Sequence, residues 1–165
     1  MKTIFFLLLT LLMIAAPTTA GETLVSENTE GHQKFDPARD AKKDLHEAID
    51  LGIKSNKRIL LDIGGEWCIW CHRLDSLFIQ NTDLADFLEK HYVVVKINVS
   101  KENKNEKILS KYPKVPGYPH FFVLDKNGKL LVSQDTGELE NPKGAPVKGH
   151  DKKKVFAFLK KWAGK

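Results

Sequence analysis

Ile59-Leu60-Leu61-Asp62-Ile63-Gly64-Gly65-Glu66-Trp67-Cys68-Ile69-Trp70-Cys71 is the stretch on which the reading of this 165-residue chain turns. Ile59-Leu60-Leu61 is a short apolar run that Gly64-Gly65 ends, which predicts a buried strand over Arg58 to Ile63. The two cysteines that follow are the only ones in the chain. At the start of a helix, residues three apart lie on one side of a single turn, so both sulfurs come close enough to join and separate reversibly. A bridge over two intervening residues closes too small a loop to constrain the unfolded chain much. The pair reads as redox chemistry and not as a staple.

Outward from this stretch, the chain alternates between helical and strand periods. Asp40 to Ser55 carries Ala41, Leu45, Ala48, Ile49 and Ile53 on one repeating face and predicts a helix. Leu74, Leu77 and Phe78 continue a helical face from Cys71, and Asn81-Thr82-Asp83 offers a break and a new cap before Leu84, Phe87 and Leu88. Tyr92 to Val99 is apolar and β-branched, a buried strand, and Glu102 to Lys111 gives a weaker helical pattern. His120 to Leu124 and Leu130 to Ser133 flank Asp125-Lys126-Asn127-Gly128-Lys129, whose Asn-Gly signals a hairpin. A Gly- and Pro-containing loop from Gln134 to Gly149 precedes a last helix, where Val155, Phe156, Phe158, Leu159 and Trp162 share a face among lysines. The expected fold class is α/β, one domain over residues 37–165, with a central mixed β-sheet flanked by helices.

Met1-Lys2, an apolar run from Ile4 to Ala16 and the small residues of Pro17-Thr18-Thr19-Ala20 have the layout of a secretory signal peptide over residues 1–20. The apolar run is shorter than the ~20 residues a spanning helix needs. Gly21 after the expected cut gives no lipidation signal. Residues 21–36 are polar, lack periodicity and read as a flexible N-terminal lead. Removing the leader takes away one lysine and no acid, so the net charge falls from +5 to +4. The lysines are interspersed with acids, a solvated surface and not a nucleic-acid footprint. The expected location is outside the cytoplasm, periplasmic or secreted.

The strand, the turn and the dithiol together resemble the thioredoxin superfamily. Asp62 stands six residues before Cys68, where that family has a buried acid, and Lys96 in Val94-Val95-Lys96-Ile97-Asn98-Val99 falls at the lysine beside it. Val115-Pro116-Gly117-Tyr118-Pro119-His120-Phe121-Phe122 is similar to the segment that carries a cis-proline facing the cysteines, which puts Pro119 there. The resemblance covers residues 40 to 165. It implies a thioredoxin-like fold and a protein-disulfide oxidoreductase that needs no cofactor beyond the Cys68–Cys71 disulfide.

Since the thiolate is the attacking species, one cysteine needs a lowered pKa and access to solvent. Cys68, at the helix start, is the expected nucleophile, and Cys71, one turn deeper, the resolving cysteine. A buried Asp62 could take the proton of Cys71, with Lys96 as its charge partner, or simply cap the strand end. Pro119, if cis, would open backbone for a client strand to pair, the alternative being an ordinary turn proline. Trp67, Trp70 and Tyr118 are the expected client contacts. Ile69-Trp70 replaces the Gly-Pro of thioredoxin and carries no charge, so a reductase with a moderate thiol pKa is favoured over an oxidase or isomerase. Its expected partners are protein clients with disulfides and a membrane-bound thiol electron donor.

Three rival readings compete for the same residues. Cys68-Ile69-Trp70-Cys71-His72 also fits the attachment pattern of c-type haem, with His72 as axial ligand. Both methionines lie in the leader, so the second ligand would be His91, His120 or His150. A zinc site from Cys68, Cys71 and His72 lacks a second cysteine pair. A binding module could also keep the fold and use the dithiol only to recognise clients.

Overall fold

The computed structural model describes residues 34–164. The signal peptide expected over residues 1–20 and most of the lead lie outside the described residues. Asp40 caps the first helix, α1 (Ala41–Ser55), by accepting the backbone N–H groups of Lys42 and Lys43. The helix ends at Asn56, which takes the left-handed conformation at φ 55°. The first strand, β1 (Arg58–Gly64), is buried at every residue from Ile59 to Gly64, as a strand covered on both faces should be.

After β1 come α2 (Ile69–Gln80), α3 (Thr82–His91) and β2 (Tyr92–Asn98), then a single helical turn, α4 (Glu106–Leu109). The hairpin strands β3 (His120–Leu124) and β4 (Leu130–Asp135), a 3₁₀ turn at Thr136–Leu139 and α5 (Lys152–Trp162) complete the chain. The sheet order is β2-β1-β3-β4. β1 runs parallel to β2 and antiparallel to β3, and β3 pairs antiparallel with β4, which is the mixed sheet expected. Alternation along the strands sends Leu60, Phe121 and Val123 against α2, α3 and α5, and Ile59, Leu61, Ile63, Phe122 and Leu124 against α1 and α4. Asp62 and Lys96 are partners in the parallel register. Their side chains therefore emerge side by side on the α2 face.

Two expectations need correction. The helix expected over Glu102 to Lys111 shrinks to Glu106–Leu109. The residues before it are held as a loop by their own side chains: Ser100 Oγ accepts from the Asn103 N–H, Asn103 Oδ1 from the Asn105 N–H, and Asn105 Nδ2 donates to the Asn98 carbonyl. Asn and Ser side chains that bond nearby backbone compete with helix formation. The hairpin that Asn-Gly signals does form, between β3 and β4, over the connection Asp125 to Lys129. Gly128 N–H donates to the Asp125 carbonyl, only Gly128 of that turn has positive φ, and a bulge between Val123 and Leu124 absorbs the extra residue.

The second correction concerns the lead. Phe35, next to its end, is packed: it is 1% exposed and its N–H donates to Glu66 Oε1 at 2.7 Å. The long connection after β4 is also more ordered than a bare loop. It forms the 3₁₀ turn and closes on itself through a bridge between Glu140 and His150.

Tyr92 ties β2 to the last helix: its hydroxyl donates to the Leu159 carbonyl at 2.7 Å, in a buried position that raises the phenol pKa. The Ala163 N–H also bonds that carbonyl, so Tyr92→Phe leaves no orphaned acceptor. The expected cost is about 0.5–1 kcal/mol in equilibrium urea unfolding. A loss above about 2 kcal/mol would show that the hydroxyl holds more than this one contact.

Candidate active site

Cys68 is the N-cap of α2, with extended backbone at φ −91° and ψ 101°, and its Sγ accepts the Cys71 N–H at 3.1 Å. Helix geometry thus places one sulfur among the unpaired amides of the first turn, where the peptide dipoles favour negative charge. The other sulfur sits inside the helix. Cys68 and Cys71 are joined as a disulfide with Cα atoms 5.3 Å apart. Cys68 keeps 4% of its surface exposed and Cys71 1%. Access to Cys68 is much narrower than expected, because Phe35, Trp70 and Tyr118 pack around the pair.

The chain makes room for the disulfide by having no side chain at Gly64, and for Trp67 by having none at Gly65. A Cβ at Gly64 would lie 2.6 Å from Cys71 Sγ and 2.8 Å from Phe35 Cζ; one at Gly65 would lie 2.5 Å from Trp67 Nε1. Trp67 lies over that glycine with its indole N–H donating to the Val99 carbonyl at 2.7 Å and its ring edge-on to Tyr118 at 5.7 Å. Trp67 and its neighbour Ile69 are 60% and 59% exposed, the apolar rim of the site. The Tyr118–Pro119 bond is cis, and the buried Thr136 hydroxyl donates to the Pro119 carbonyl at 2.5 Å. Trp67 and Tyr118 also line a groove of about 770 Å³ with Val99, Leu109, Lys101 and Lys104.

Beneath the disulfide lies a three-charge cluster. Lys96 Nζ is 3.9 Å from Asp62 Oδ2 but 2.5 and 2.6 Å from the two carboxylate oxygens of Asp75. Asp62 is buried and its Oδ1 has no partner. Burial pushes its pKa up to about 7; Lys96 opposes this shift and the Asp75 charge adds to it. Asp75 escaped the sequence reading. It stands four residues after Cys71 on α2, so helical spacing alone would have placed it on the same face.

Trp70 is half-buried between two residues, Arg73 and His150, that the sequence did not connect to it. The Arg73 guanidinium lies 4.5 Å from its ring centre, and the ring of His150 meets it edge-on at 5.9 Å. His150 is buried, and burial with Arg73 nearby pushes its pKa down to about 4. No local signal links position 150 to position 70. Only the closure of the Glu140–His150 loop brings them together.

The surroundings do not fit a porphyrin. The sulfurs are bonded to each other, Cys71 is enclosed, and His72 Nε2 donates to the Glu66 carbonyl at 2.7 Å. Of the histidines considered as second ligand, His91 stacks on Phe87, His120 bonds Ser133 beside Phe122 on the α1 face, and His150 packs on Trp70. For zinc, no group of three His, Cys, Asp or Glu side chains placed to hold a metal ion occurs among the described residues.

A thioredoxin-like family profile matches residues 40–126, which takes in β1, the dithiol, the Lys96 strand and the cis-proline. The chain belongs to the thioredoxin-like family. Its relatives include the disulfide bond reductase DsbH of Chlamydia pneumoniae, 28% identical over 73% of this chain and 78% of that one. A solved structure described as a disulphide isomerase from Xylella fastidiosa superposes with a TM-score of 0.65, at 26% identity over 79% of this chain and 96% of its own. The thiol:disulfide interchange protein DsbD of Pseudomonas fluorescens is 24% identical over 84% of this chain, which spans only 21% of that larger protein. This thioredoxin-like chain is a protein-disulfide oxidoreductase.

Two consequences of the charge cluster are measurable. The raised Asp62 pKa means that the unfolded chain ionises this group first, so the folded state loses stability as pH rises from about 4 to about 7 and no further beyond. Asp62→Asn should therefore gain on the parent over that window, reaching at least about 1 kcal/mol at pH 8 in chemical unfolding; a difference independent of pH would contradict the assignment. Asp75→Asn removes a like charge and releases Lys96 toward Asp62, while Lys96→Met removes the only favourable charge acting on it. Carboxyl NMR titration of Asp62 should show its midpoint moving down in the first variant and up in the second, each by about one pH unit.

Proposed function

We propose that this thioredoxin-like protein is an exported, periplasmic reductase of protein disulfides, acting through Cys68 with Cys71 resolving and Asp62 as the proton acceptor for Cys71. The observation that carries the reading is the disulfide at the N-terminus of α2, with Cys68 Sγ accepting a backbone N–H and Cys71 enclosed one turn deeper.

In the reduced protein, the Cys68 thiolate attacks one sulfur of a client disulfide. A mixed disulfide forms, and the other client sulfur leaves as a thiolate that takes a proton from water. Cys71 gives its proton to the Asp62 carboxylate and attacks Cys68 Sγ, expelling the second client thiolate. Two electrons pass from the Cys68/Cys71 pair to the client, which leaves as a dithiol. A client strand beside Pro119 would cross Trp67 and Tyr118 and find apolar cover in the groove behind them. Trp70, held by Arg73 and His150, adds a third client contact. Lys96 offsets only part of the charge on the Asp62 carboxylate, because Asp75 stays bound to it.

The direction rests on the uncharged Ile69-Trp70 pair, which gives the Cys68 thiolate no support beyond the helix, and on the C. pneumoniae relative, itself described as a reductase. The description of the Xylella fastidiosa structure as an isomerase favours the second reading. Export rests on the leader pattern in residues 1–20, and the working domain is taken as 37–165 with Phe35 added to it. A reductase outside the cytoplasm needs a source of electrons, and the family resemblance points to a membrane-bound thiol carrier.

Cys71→Ser in the full chain should accumulate covalent adducts with client proteins on non-reducing gels, and Cys68→Ser should not. A mere binding module would give no adducts from either variant. Equilibration against glutathione should place the pair near the thioredoxin value of about −270 mV. A potential near about −120 mV would reverse the direction to oxidase.

A further inference from the structure

Phe35 is a buried phenylalanine that joins neither face of the hydrophobic core. Its buried neighbours are Cys68 and Cys71, with Trp70 and Tyr118 packed against the three. It belongs to no helix or strand, yet its backbone is fixed: the Phe35 N–H is held by Glu66, from the turn that leads into the dithiol. Two residues on, the Pro37 carbonyl accepts Asn103 Nδ2 at 2.9 Å. The ring centre lies 4.4 Å from Lys96 Nζ, and the ring edge shares with Cys71 Sγ the space above Gly64. An aromatic face against a desolvated ammonium is attractive, and the same ring excludes water that would otherwise reach the charge.

We propose that Phe35 is a positioning residue of the active site, whose ring keeps water from Lys96 and Cys71 and so maintains the dry surroundings in which Asp62 accepts the Cys71 proton. This rests on the thiol–disulfide reading above. The charges that act on Asp62 are Lys96 from β2 and Asp75 from α2, while β3 sets Phe121 opposite it. Glu66 holds the Phe35 backbone, and Arg73 and His150 bracket Trp70. Burial is the larger influence on Asp62, and the ring bears on it by covering Lys96, the ammonium beside that carboxylate. Truncating the ring would admit water while leaving both charged neighbours in place.

The test follows single-turnover reduction of a synthetic peptide disulfide by the pre-reduced full-length chain from pH 5 to pH 9, with Phe35→Ala, Phe35→Leu and Asp62→Asn variants. The parent should show an inflection near pH 7 that Asp62→Asn abolishes. In Phe35→Ala that inflection should move down by about one pH unit, while Phe35→Leu, which keeps an apolar plug, should hold it. Phe35→Ala added to Asp62→Asn should shift nothing further. An unmoved inflection in a folded Phe35→Ala protein, with only its unfolding midpoint lowered, would overturn the proposal and leave Phe35 as packing. If Phe35→Ala does not fold, Phe35→Val carries the same comparison. A parent profile without any Asp62-dependent inflection would instead overturn the proton-transfer step, which separates the two failures.

Discussion

One ammonium group shared unequally between two carboxylates governs the electrostatics of this site. Lys96 is bound closely by Asp75 and only loosely by Asp62. Had the lysine paired tightly with Asp62, it would have stabilised the carboxylate and lowered its pKa. Because Asp75 takes the lysine instead, burial decides the outcome, and Asp62 titrates close to neutrality. A carboxyl of that kind can hold or release a proton over the pH range in which thiols exchange.

The rest of the architecture keeps that cluster dry and brings the sulfurs to it. The parallel register sets Asp62 beside Lys96, and α2 carries Asp75 over them one turn after Cys71. Gly64 lets the helix and the Phe35 ring come close to the strand end. Thr136 holds the carbonyl of the cis-proline, and the Glu140–His150 closure sets an imidazole against Trp70. Together they enclose a disulfide whose rim is apolar and whose floor is charged.

Much of this was legible along the chain. Periodicity placed α1, β1, α2, α3, β2, β3 and α5 close to where they lie, because each buries one continuous apolar face or run. It failed before α4, where Asn and Ser side chains bond the backbone and a helical pattern loses to local hydrogen bonds. It failed also at Phe35, a lone aromatic in a polar stretch with no period to reveal a buried role. Asp75 was readable in principle from its helical spacing to Cys71. Thr136 and His150 were not, since each meets the site across a loop closure that no local pattern encodes.

By itself, then, the amino-acid order specified the α/β alternation, the single dithiol and its place at a helix start, because these follow from near-neighbour geometry and apolar spacing. The tertiary structure alone decided which charge pairs with which, how deeply the sulfurs are enclosed and what covers them. Those quantities depend on distances between residues far apart in sequence and on the exclusion of water, and an interior comes into being only when the sheet and helices close around it.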